Sequence, residues 1–263
     1  MFCINCGKEL PPKAKFCPNC GTPVFAYNSA NNTKEEDKRK KASTGLENGH
    51  EWVDLGLSVK WATCDIGANS PEDYGSRFAW GEVSPKNARA WEGYRFLPAS
   101  RNFIDPLTIP IEDTSTKRGK RNLDLILEME DYISLHLTKY NKSDGITRLD
   151  LSDDAACINW GGRWRMPSVS EFGELRARCL WTWTKLGGKD GYRVTGTNGN
   201  SIFLPADRNA RGLFWTSDLG TPYDHIDAKS YVIENSPGKP FGDVGFSSRC
   251  FILAIRPVLE GLE

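Results

Sequence analysis

Four cysteines in two close pairs near the N-terminus constrain this 263-residue chain more than any other feature of its sequence. Two residues separate Cys3 from Cys6 and Cys17 from Cys20, and ten residues lie between the pairs. Two tight turns with this spacing can present four thiolates tetrahedrally to one zinc ion. The pattern therefore predicts a zinc site with Cys3, Cys6, Cys17 and Cys20 as ligands. Because thiolates fill all four positions, no position is left for a catalytic water, and we expect the zinc to be structural.

Residues 1–25 contain too little apolar area to fold without a metal. Zinc binding should supply their folding free energy, on the order of 10 kcal/mol or more. The segment resembles a zinc ribbon of the short N-terminal kind found in bacteria, which implies contact with a protein or a nucleic acid. Lys8, Lys13 and Lys15 form a modest basic face, and three phosphate contacts give a salt slope of only about −3. A protein partner is therefore favoured over a nucleic acid.

The next segment, residues 26–48, has almost no aliphatic side chains. It is rich in Asn, Ser and Thr, and a run of charged residues follows from Lys34 to Lys41. Such a segment cannot bury a core. We predict a flexible polar linker here, between a zinc ribbon at 1–25 and a larger domain at 49–263.

Charge and composition bear on the compartment of the protein. The sequence has 34 basic and 34 acidic residues, which argues against a general attraction of the whole chain to nucleic acid or to anionic membranes. No apolar stretch approaches the length of about 18 residues that a transmembrane helix needs, and residues 1–25 lack the apolar core of a signal peptide. Thiolates that bind zinc must also stay reduced. We therefore expect a cytoplasmic protein without a membrane segment.

Short apolar stretches separated by Gly, Pro, Asn and Asp predict an α+β domain over residues 49–263. Strands are predicted in EWVDLGLSVKWATC (two strands around Gly56), SRFAWGEV, GLFWTS, KSYVIE and RCFILAIRPV. The stretch YRVTGTNGNSIFL predicts a hairpin, because apolar residues alternate on both sides of an Asn-Gly pair.

Two main helices are predicted between these strands. The first lies in SDDAACINW, with Ser152 as its expected N-cap. The second begins at a capping box formed by Ser168 and Glu171. The stretch NLDLILEMEDYISLHLTKY is ambiguous, although its apolar spacing slightly favours a helix. The tryptophans that we expect in the core, and not stacked on a ligand, are Trp52, Trp61, Trp80, Trp160, Trp164 and Trp215.

A series of motifs along this domain resembles one bacterial family. The motifs include WVDLGLSVKWATCDIGANSPEDYGSRFAWGE, DDAACINWGGRWRMPS, EFGELRARCLWTWT, GYRVTGTNGNSIFLPA and the closing AIRPV. In this order they are similar to the major paralogous domain, FISUMP, over nearly all of residues 50–258. The resemblance implies a C-type-lectin-like fold of short strands with two main helices. It implies little about chemistry.

The resemblance also implies where a ligand binds. In lectin-like folds the helices and the paired terminal strands form a base, and the loops between the late strands form the exposed binding face. Here those loops are expected at about residues 217–229 and 235–249. Their aromatic and charged side chains suit recognition of a protein. The candidate ligand-binding residues are Asp218, Tyr223, Asp224, His225, Phe241 and Arg249.

Two kinds of metal site can be tested against the sequence of this domain. Calcium-dependent sugar binding is not expected, because the Glu-Pro-Asn, Gln-Pro-Asp and Trp-Asn-Asp elements are absent from the sequence. Asp218, Asp224, His225 and Asp227 could form a metal cluster, but the surrounding Gly and Pro are more typical of an exposed loop.

The cysteines outside the ribbon are Cys64, Cys157, Cys179 and Cys250. They could in principle form two disulfides, but their apolar neighbours favour four buried free thiols. Formylglycine-generating enzymes share the broad fold and need two cysteines close together, whereas Cys250 stands alone near the C-terminus.

We therefore expect a non-enzymatic cytoplasmic binding or adaptor protein with structural zinc. Either the lectin-like loops or the ribbon would recognise a protein or a small ligand. Two alternatives stay open: a formylglycine-generating-type oxidoreductase and a nucleic-acid-associated zinc ribbon protein.

Overall fold

The computed structural model of the protein describes residues 8, 9, 11, 18, 19, 43–207, 209–221, 224–235 and 242–260. The chain divides into two compact units, Met1–Lys41 and Ala42–Glu263. The five described residues of the first unit are all exposed. The predicted zinc ligands Cys3, Cys6, Cys17 and Cys20 lie outside the described residues, as do residues 26–42 of the predicted linker.

The helices and strands of the described residues belong to the second unit. The helices are α1 (Lys117–His136), α2 (Ala155–Trp160) and α3 (Val169–Arg178). The strands are β1 (Thr44–Glu47), β2 (His50–Val53), β3 (Val59–Ala62), β4 (Trp164–Arg165), β5 (Leu180–Leu186), β6 (Lys189–Thr195), β7 (Ser201–Pro205), β8 (Arg211–Thr221), β9 (Asp224–Glu234), β10 (Gly242–Ser248) and β11 (Val258–Glu260). Short 3₁₀ turns occur at Pro106–Thr108 and Leu151–Asp153.

These strands form three antiparallel sheets, so the fold is mixed α+β. The first sheet has the order β1-β2-β3-β11-β4 and joins the earliest strands of the unit to the latest. The second has the order β10-β9-β8 and the third β5-β6-β7. In the first sheet, Val258 pairs with Trp61 on one side and with Arg165 on the other. Strand β11 is therefore held between two strands that lie far from it in sequence.

Helix α3 begins as its sequence predicts. The Ser168 hydroxyl accepts a hydrogen bond from the Glu171 N–H at 3.3 Å, and the Glu171 carboxylate accepts one from the Ser168 N–H at 2.7 Å. The Arg165 guanidinium donates to the same carboxylate at 2.6 Å. Phe172 and Leu175 are fully buried on the inner face of the helix. The predicted capping box is thus confirmed, and it sets the start of α3.

The other two helices agree with prediction less closely. The N-cap of α2 is Asp154 and not Ser152, because the residues before it form the 3₁₀ turn Leu151–Asp153. The Asp154 carboxylate accepts two N–H groups of the first helical turn, at 2.8 and 3.2 Å, and the Met166 N–H at 2.7 Å. A carboxylate that satisfies three donors at once is a stronger cap than a single hydroxyl. Helix α1 confirms the slight preference for a helix in its stretch, so the described residues contain three α-helices instead of two main ones.

Most predicted strands are confirmed, and the exceptions have local causes. The strands around Gly56 are β2 and β3, and the predicted hairpin is β6 with β7. The predicted strand in SRFAWGEV is wrong, because Phe78 forms only an isolated bridge with Leu253 and the flanking Gly75 and Gly81 turn the backbone at positive φ.

Strands β1, β5 and β10 were not predicted, and β10 lies in the range 235–249 that was expected to be a loop. Strand β1 lies inside the predicted linker and pairs along its whole length with β2, so the linker prediction is wrong at residues 44–47. Strand β5 follows α3 directly and pairs with β6 from Leu180 to Leu186. The stretch RCFILAIRPV, predicted as one strand, forms isolated bridges at Leu253 and Ala254 before β11 begins.

Two hydrophobic cores stabilise the second unit. One surrounds Trp80 and Trp215, and the other surrounds Trp61 and Phe172. The core prediction is confirmed for all six tryptophans, since each is at most 9% exposed. None of the helices among the described residues combines the length and the apolar composition needed to cross a bilayer.

Candidate functional site

The face predicted from the resemblance is mostly β-sheet. Residues 217–229 and 235–249 were expected to be loops, but β8 and β9 pair over most of the first range and β10 pairs with β9 in the second. The loop prediction is therefore wrong over most of the first range and over residues 242–248 of the second. Tyr223 and Phe241 lie outside the described residues, and the Asp224 backbone pairs with Thr221.

Asp218 has a structural role in this sheet. Its Oδ2 accepts the Val169 N–H at 2.7 Å, at the start of α3, and its Oδ1 lies 3.5 Å from Nη2 of Arg148. Both carboxylate oxygens therefore have partners within the protein. Asp218 positions α3 against β8, which is a sufficient reason for a carboxylate there without a ligand.

Arg249 is buried and not part of an exposed loop. Its side chain is 0% exposed, and its guanidinium donates to the Tyr94 hydroxyl at 2.9 Å and to the backbone carbonyls of Lys139, Tyr140 and His225 at 2.9 to 3.2 Å. These partners come from separate parts of the chain. The prediction that Arg249 is accessible to a ligand is therefore wrong, and the residue ties together the loops that surround it.

His225 is also buried, with 6% of its surface exposed, and neither ring nitrogen has a hydrogen-bond partner. The expectation of an exposed loop residue is wrong here too, because β9 turns the side chain inward. The alternative of a metal cluster with nearby aspartates gains no support, since no group of three or more His, Cys, Asp or Glu side chains able to hold a metal occurs in the described part of the chain.

A cleft of about 200 Å³ opens elsewhere on the second unit. Its walls come from three segments: residues 65–77 after β3, residues 205–207 and 211–214 at the junction of β7 and β8, and residues 252–253 before β11. The β7–β8 turn is fixed by Asp207, whose Oδ1 accepts the N–H groups of Asn209 and Arg211. On the opposite wall, the Tyr74 hydroxyl donates to the Ala206 carbonyl at 3.0 Å.

Asp65 lines this cleft and is itself 1% exposed. Its Oδ1 accepts from Nε of Arg256 at 2.7 Å, whereas its Oδ2 has no hydrogen-bond partner. Burial raises the pKa of Asp65, and the Arg256 guanidinium opposes that rise. A buried polar atom without a partner costs about 1–3 kcal/mol, and native proteins contain few of them. The free oxygen therefore needs a physical explanation.

Arg256 completes the buried pair. Its Nη1 donates to the carbonyls of Ala62, Thr63 and Phe203 at 2.9 to 3.4 Å, and its Nη2 has no partner. Asp65 and Arg256 lie 191 positions apart, so no spacing rule joins them in the sequence. The segments containing them, ATCDIG and AIRPV, belong to motifs that carried the family resemblance, but nothing in those motifs marked the two residues as a pair.

Two further cations line the same cleft. Arg77 is half-buried, and within the described residues its side chain forms no hydrogen bond or ion pair, although its charge lowers the pKa of Asp65. Nε of Arg211 lies 3.7 Å from Oε2 of Glu234, with almost half of the side chain exposed. The cleft thus combines a buried carboxyl group with the guanidinium of Arg77 and with that of Arg211, which also pairs with Glu234.

The four cysteines of the second unit are free thiols, as predicted. The expectation of burial is confirmed for Cys179 and Cys250, but Cys64 and Cys157 are only half-buried. Burial raises the pKa of Cys179 to about 11 and that of Cys250 to about 12. Cys179 belongs to the core around Trp61 and Cys250 to the core around Trp80, so these two thiols do not form a pair.

Comparison with known proteins identifies the first unit only. Residues 2–24 match the zinc-ribbon domain, and this N-terminal zinc ribbon implies zinc binding. No curated protein and no solved structure gives a significant match to the chain. The donor set fits the metal, because four cysteines within the matched residues supply the four thiolates of a closed zinc site.

Proposed function

We propose that this protein is a zinc-binding, non-enzymatic adaptor of the bacterial cytoplasm. The zinc ribbon docks on a protein partner, and the second unit is a C-type-lectin-like domain of the FISUMP type that binds a ligand. The observation that carries this proposal is the division of the eight cysteines. Four have ribbon spacing, and the other four are free thiols in a unit that carries no disulfide among its described residues. Reduced thiols throughout suit the cytoplasm.

The lectin-like assignment is supported by the first sheet. In such folds the terminal strands pair to form a base, and here β11 lies between β3 and β4 in the sheet that also contains the hairpin of β1 and β2. The motifs quoted above occur in the family's order. Both arguments concern the fold and not the ligand.

The non-enzymatic assignment is supported by the thiols. A formylglycine-generating oxidoreductase needs two neighbouring reactive cysteines, whereas Cys179 and Cys250 lie in different cores and both have raised pKa values. A thiol with a raised pKa is a poor nucleophile and a poor metal ligand at neutral pH. Formation of formylglycine in a cysteine-containing peptide, lost in Cys250→Ser, would contradict the non-enzymatic assignment.

The zinc site is tested by metal analysis of the full chain. Wild-type protein should contain one zinc per chain, and Cys6→Ser should lose most of it because the remaining three thiolates leave the site open. Cys157→Ser is the matched control, since it removes a half-buried thiol from the second unit, and its zinc content should not change. Equal zinc loss in both variants would mean that the metal is not held by the ribbon.

The adaptor role is tested with the same pair of variants. Partners crosslinked to wild-type protein in bacterial cytoplasm should be retained by Cys157→Ser and lost by Cys6→Ser. In both variants the cooperative unfolding of the second unit should be unchanged, because that unit is compact by itself. If nucleic acid is captured instead, with strong salt dependence, the nucleic-acid alternative is correct.

A further inference from the structure

The cleft between residues 65–77, 205–207, 211–214 and 252–253 has the features of a small-molecule site. Its volume of about 200 Å³ is below that of a typical drug-sized pocket and suits a molecule of a few heavy atoms. Backbone and side chains of Leu213, Phe214 and Leu253 provide an apolar wall, while the charged groups come from the other segments. Small ligands are commonly held by a mostly apolar cavity with a few placed polar groups.

The floor of this cleft offers a hydrogen-bond acceptor that the protein leaves unused. Asp65 is almost completely buried, and Arg256 occupies only one of its two carboxylate oxygens. The other oxygen, Oδ2, has no partner. Because Asp65 lines the cleft, its Oδ2 can accept an N–H or O–H from a ligand once the carboxylate turns toward the opening, and this gives the unsatisfied atom a partner.

The walls offer positive charge. Arg77 has no hydrogen bond or ion pair within the described residues, and Arg211 has a distant one at 3.7 Å to Glu234. Guanidinium groups recognise carboxylates through two parallel N–H donors, and such bonds are among the stronger polar contacts in proteins. Asp207 also lines the cleft and carries one negative charge, but the two arginines outnumber it on these walls.

From this geometry we propose that the cleft binds a small organic acid with an amino or hydroxyl group next to its carboxylate. The carboxylate of the ligand contacts Arg77 and Arg211, and its N–H or O–H donates to Oδ2 of Asp65. The inference rests on the proposed function in one respect, namely that the second unit is a binding domain and not a catalytic one. It names the chemical class of ligand and the residues that select it.

The test is titration of the full-length protein with four probes, followed by NMR of the backbone amides. Glycolate and glycine carry both groups of the proposed ligand, whereas acetate lacks the donor and methylammonium lacks the carboxylate. Glycolate or glycine should shift the amide resonances of residues 212–214 and bind about tenfold or more tightly than acetate and methylammonium.

Two arginine variants separate the site from general electrostatics. Arg77→Ala should weaken binding of the two-group probe by about tenfold or more, because it removes the cation that has no other partner. Arg118→Ala is the matched control, since Arg118 is exposed and pairs with Glu112 away from the cleft, and it should leave binding unchanged. Equal weakening in both variants would overturn the proposal.

Other outcomes of the titration also test the proposed ligand site. If acetate binds as well as glycolate and glycine, the role of Asp65 is wrong, and if no probe shifts the spectrum at about 50 mM, the cleft is not a site for this class. Asp65→Asn, checked by urea unfolding for a folded second unit, should reduce the preference for glycine over acetate. Chemical conversion of a bound probe would contradict the non-enzymatic function while leaving the site in place, whereas absence of binding would leave the zinc-ribbon proposal intact.

Discussion

Two arginines of the second unit are completely buried, and their positive charges are compensated by different kinds of neighbouring group. Arg249 has no carboxylate partner in the described part of the chain: it donates to the Tyr94 hydroxyl and to the carbonyls of Lys139, Tyr140 and His225. The aromatic rings whose centres lie 5.1 to 5.7 Å from its guanidinium carbon are those of Trp80, Tyr94, Phe96 and Tyr140.

Arg256 depends instead on one carboxylate. Its Nε lies 2.7 Å from Oδ1 of Asp65, and its Nη1 donates to three backbone carbonyls. Among the described residues, Oδ2 of Asp65 and Nη2 of Arg256 have no hydrogen-bond partner. The comparison teaches that a buried charge surrounded by rings and carbonyls can be fully satisfied by the fold itself. A buried ion pair with unused atoms beside a cleft is incomplete, and this is why we place the candidate ligand site at Asp65 and not at Arg249.

The largest loss of stability should come from removing one partner of the ion pair between Asp65 and Arg256. Arg256→Ala leaves the Asp65 carboxylate buried without its cation, and removal of one partner of a buried pair costs about 3–5 kcal/mol of unfolding free energy. Urea unfolding of the second unit would measure this loss. The double variant Asp65→Leu with Arg256→Met removes both charges and should recover most of the stability.

A loss below about 1 kcal/mol for the single variant would show that water reaches the pair in solution. In that case Asp65 would not need a ligand to satisfy its second oxygen. The comparison between the two arginines would then lose its basis.

The next largest effect should come from Arg249→Met. Methionine fills much of the same volume and carries no charge, so no ion is left uncompensated, but several carbonyls lose their donor. We expect a loss of about 2–3 kcal/mol in urea unfolding, smaller than that of Arg256→Ala. A loss larger than that of Arg256→Ala would mean that the aromatic rings stabilise the cation more than a carboxylate does.

What could be predicted from sequence depends on how far apart the interacting residues lie. The zinc ligands fall within 18 residues, from Cys3 to Cys20, and the capping box of α3 spans Ser168 to Glu171, so local spacing suffices for both. The hairpin of β6 and β7 is likewise local. Each of these features follows from contacts between residues close in the chain.

The site residues that were mispredicted depend on distant contacts. An arginine in the stretch GFSSRCF is typical of an exposed loop, and Arg249 is buried only because carbonyls and rings from separate segments surround it. Asp65 and Arg256 meet across 191 positions. Strand β1 was hidden in a polar stretch because its pairing with β2, and not its own apolar content, makes it a strand.

A smaller effect should appear in the pH dependence of stability. Burial raises the pKa of Asp65 above its ordinary value of 3.8. Burial also acts on Asp153 near Arg249, but hydrogen bonds from Lys139 and Tyr140 and the charge of Arg95 outweigh it and lower that pKa below 3.8. Asp153 therefore contributes stability that is present above pH 3.8 and is lost as the pH falls through its folded pKa.

The contribution of Asp65 to stability depends on pH in the opposite direction. Protonation favours the folded state here, so its contribution declines as the pH rises from 3.8 through its folded pKa. Urea unfolding between about pH 3 and 7 should show that Asp153→Asn reduces the acid loss and that Asp65→Asn removes the decline above 3.8. The same sign for both carboxyl groups would contradict the difference between the two regions.

The smallest effect should appear in thiol reactivity, because a cysteine lies next to each compared region. Cys250 follows Arg249 and is 0% exposed, with a pKa raised to about 12, whereas Cys64 precedes Asp65 and is half-buried. Native alkylation followed by peptide mass spectrometry should label Cys64 long before Cys250, whose reaction must await local opening of its core. In Arg249→Met, labelling of Cys250 should accelerate while that of Cys64 stays the same. If labelling of both thiols accelerates equally, the two regions open together as one cooperative unit. The difference between the region around Arg249 and the region around Asp65 and Arg256 would then not extend to their dynamics.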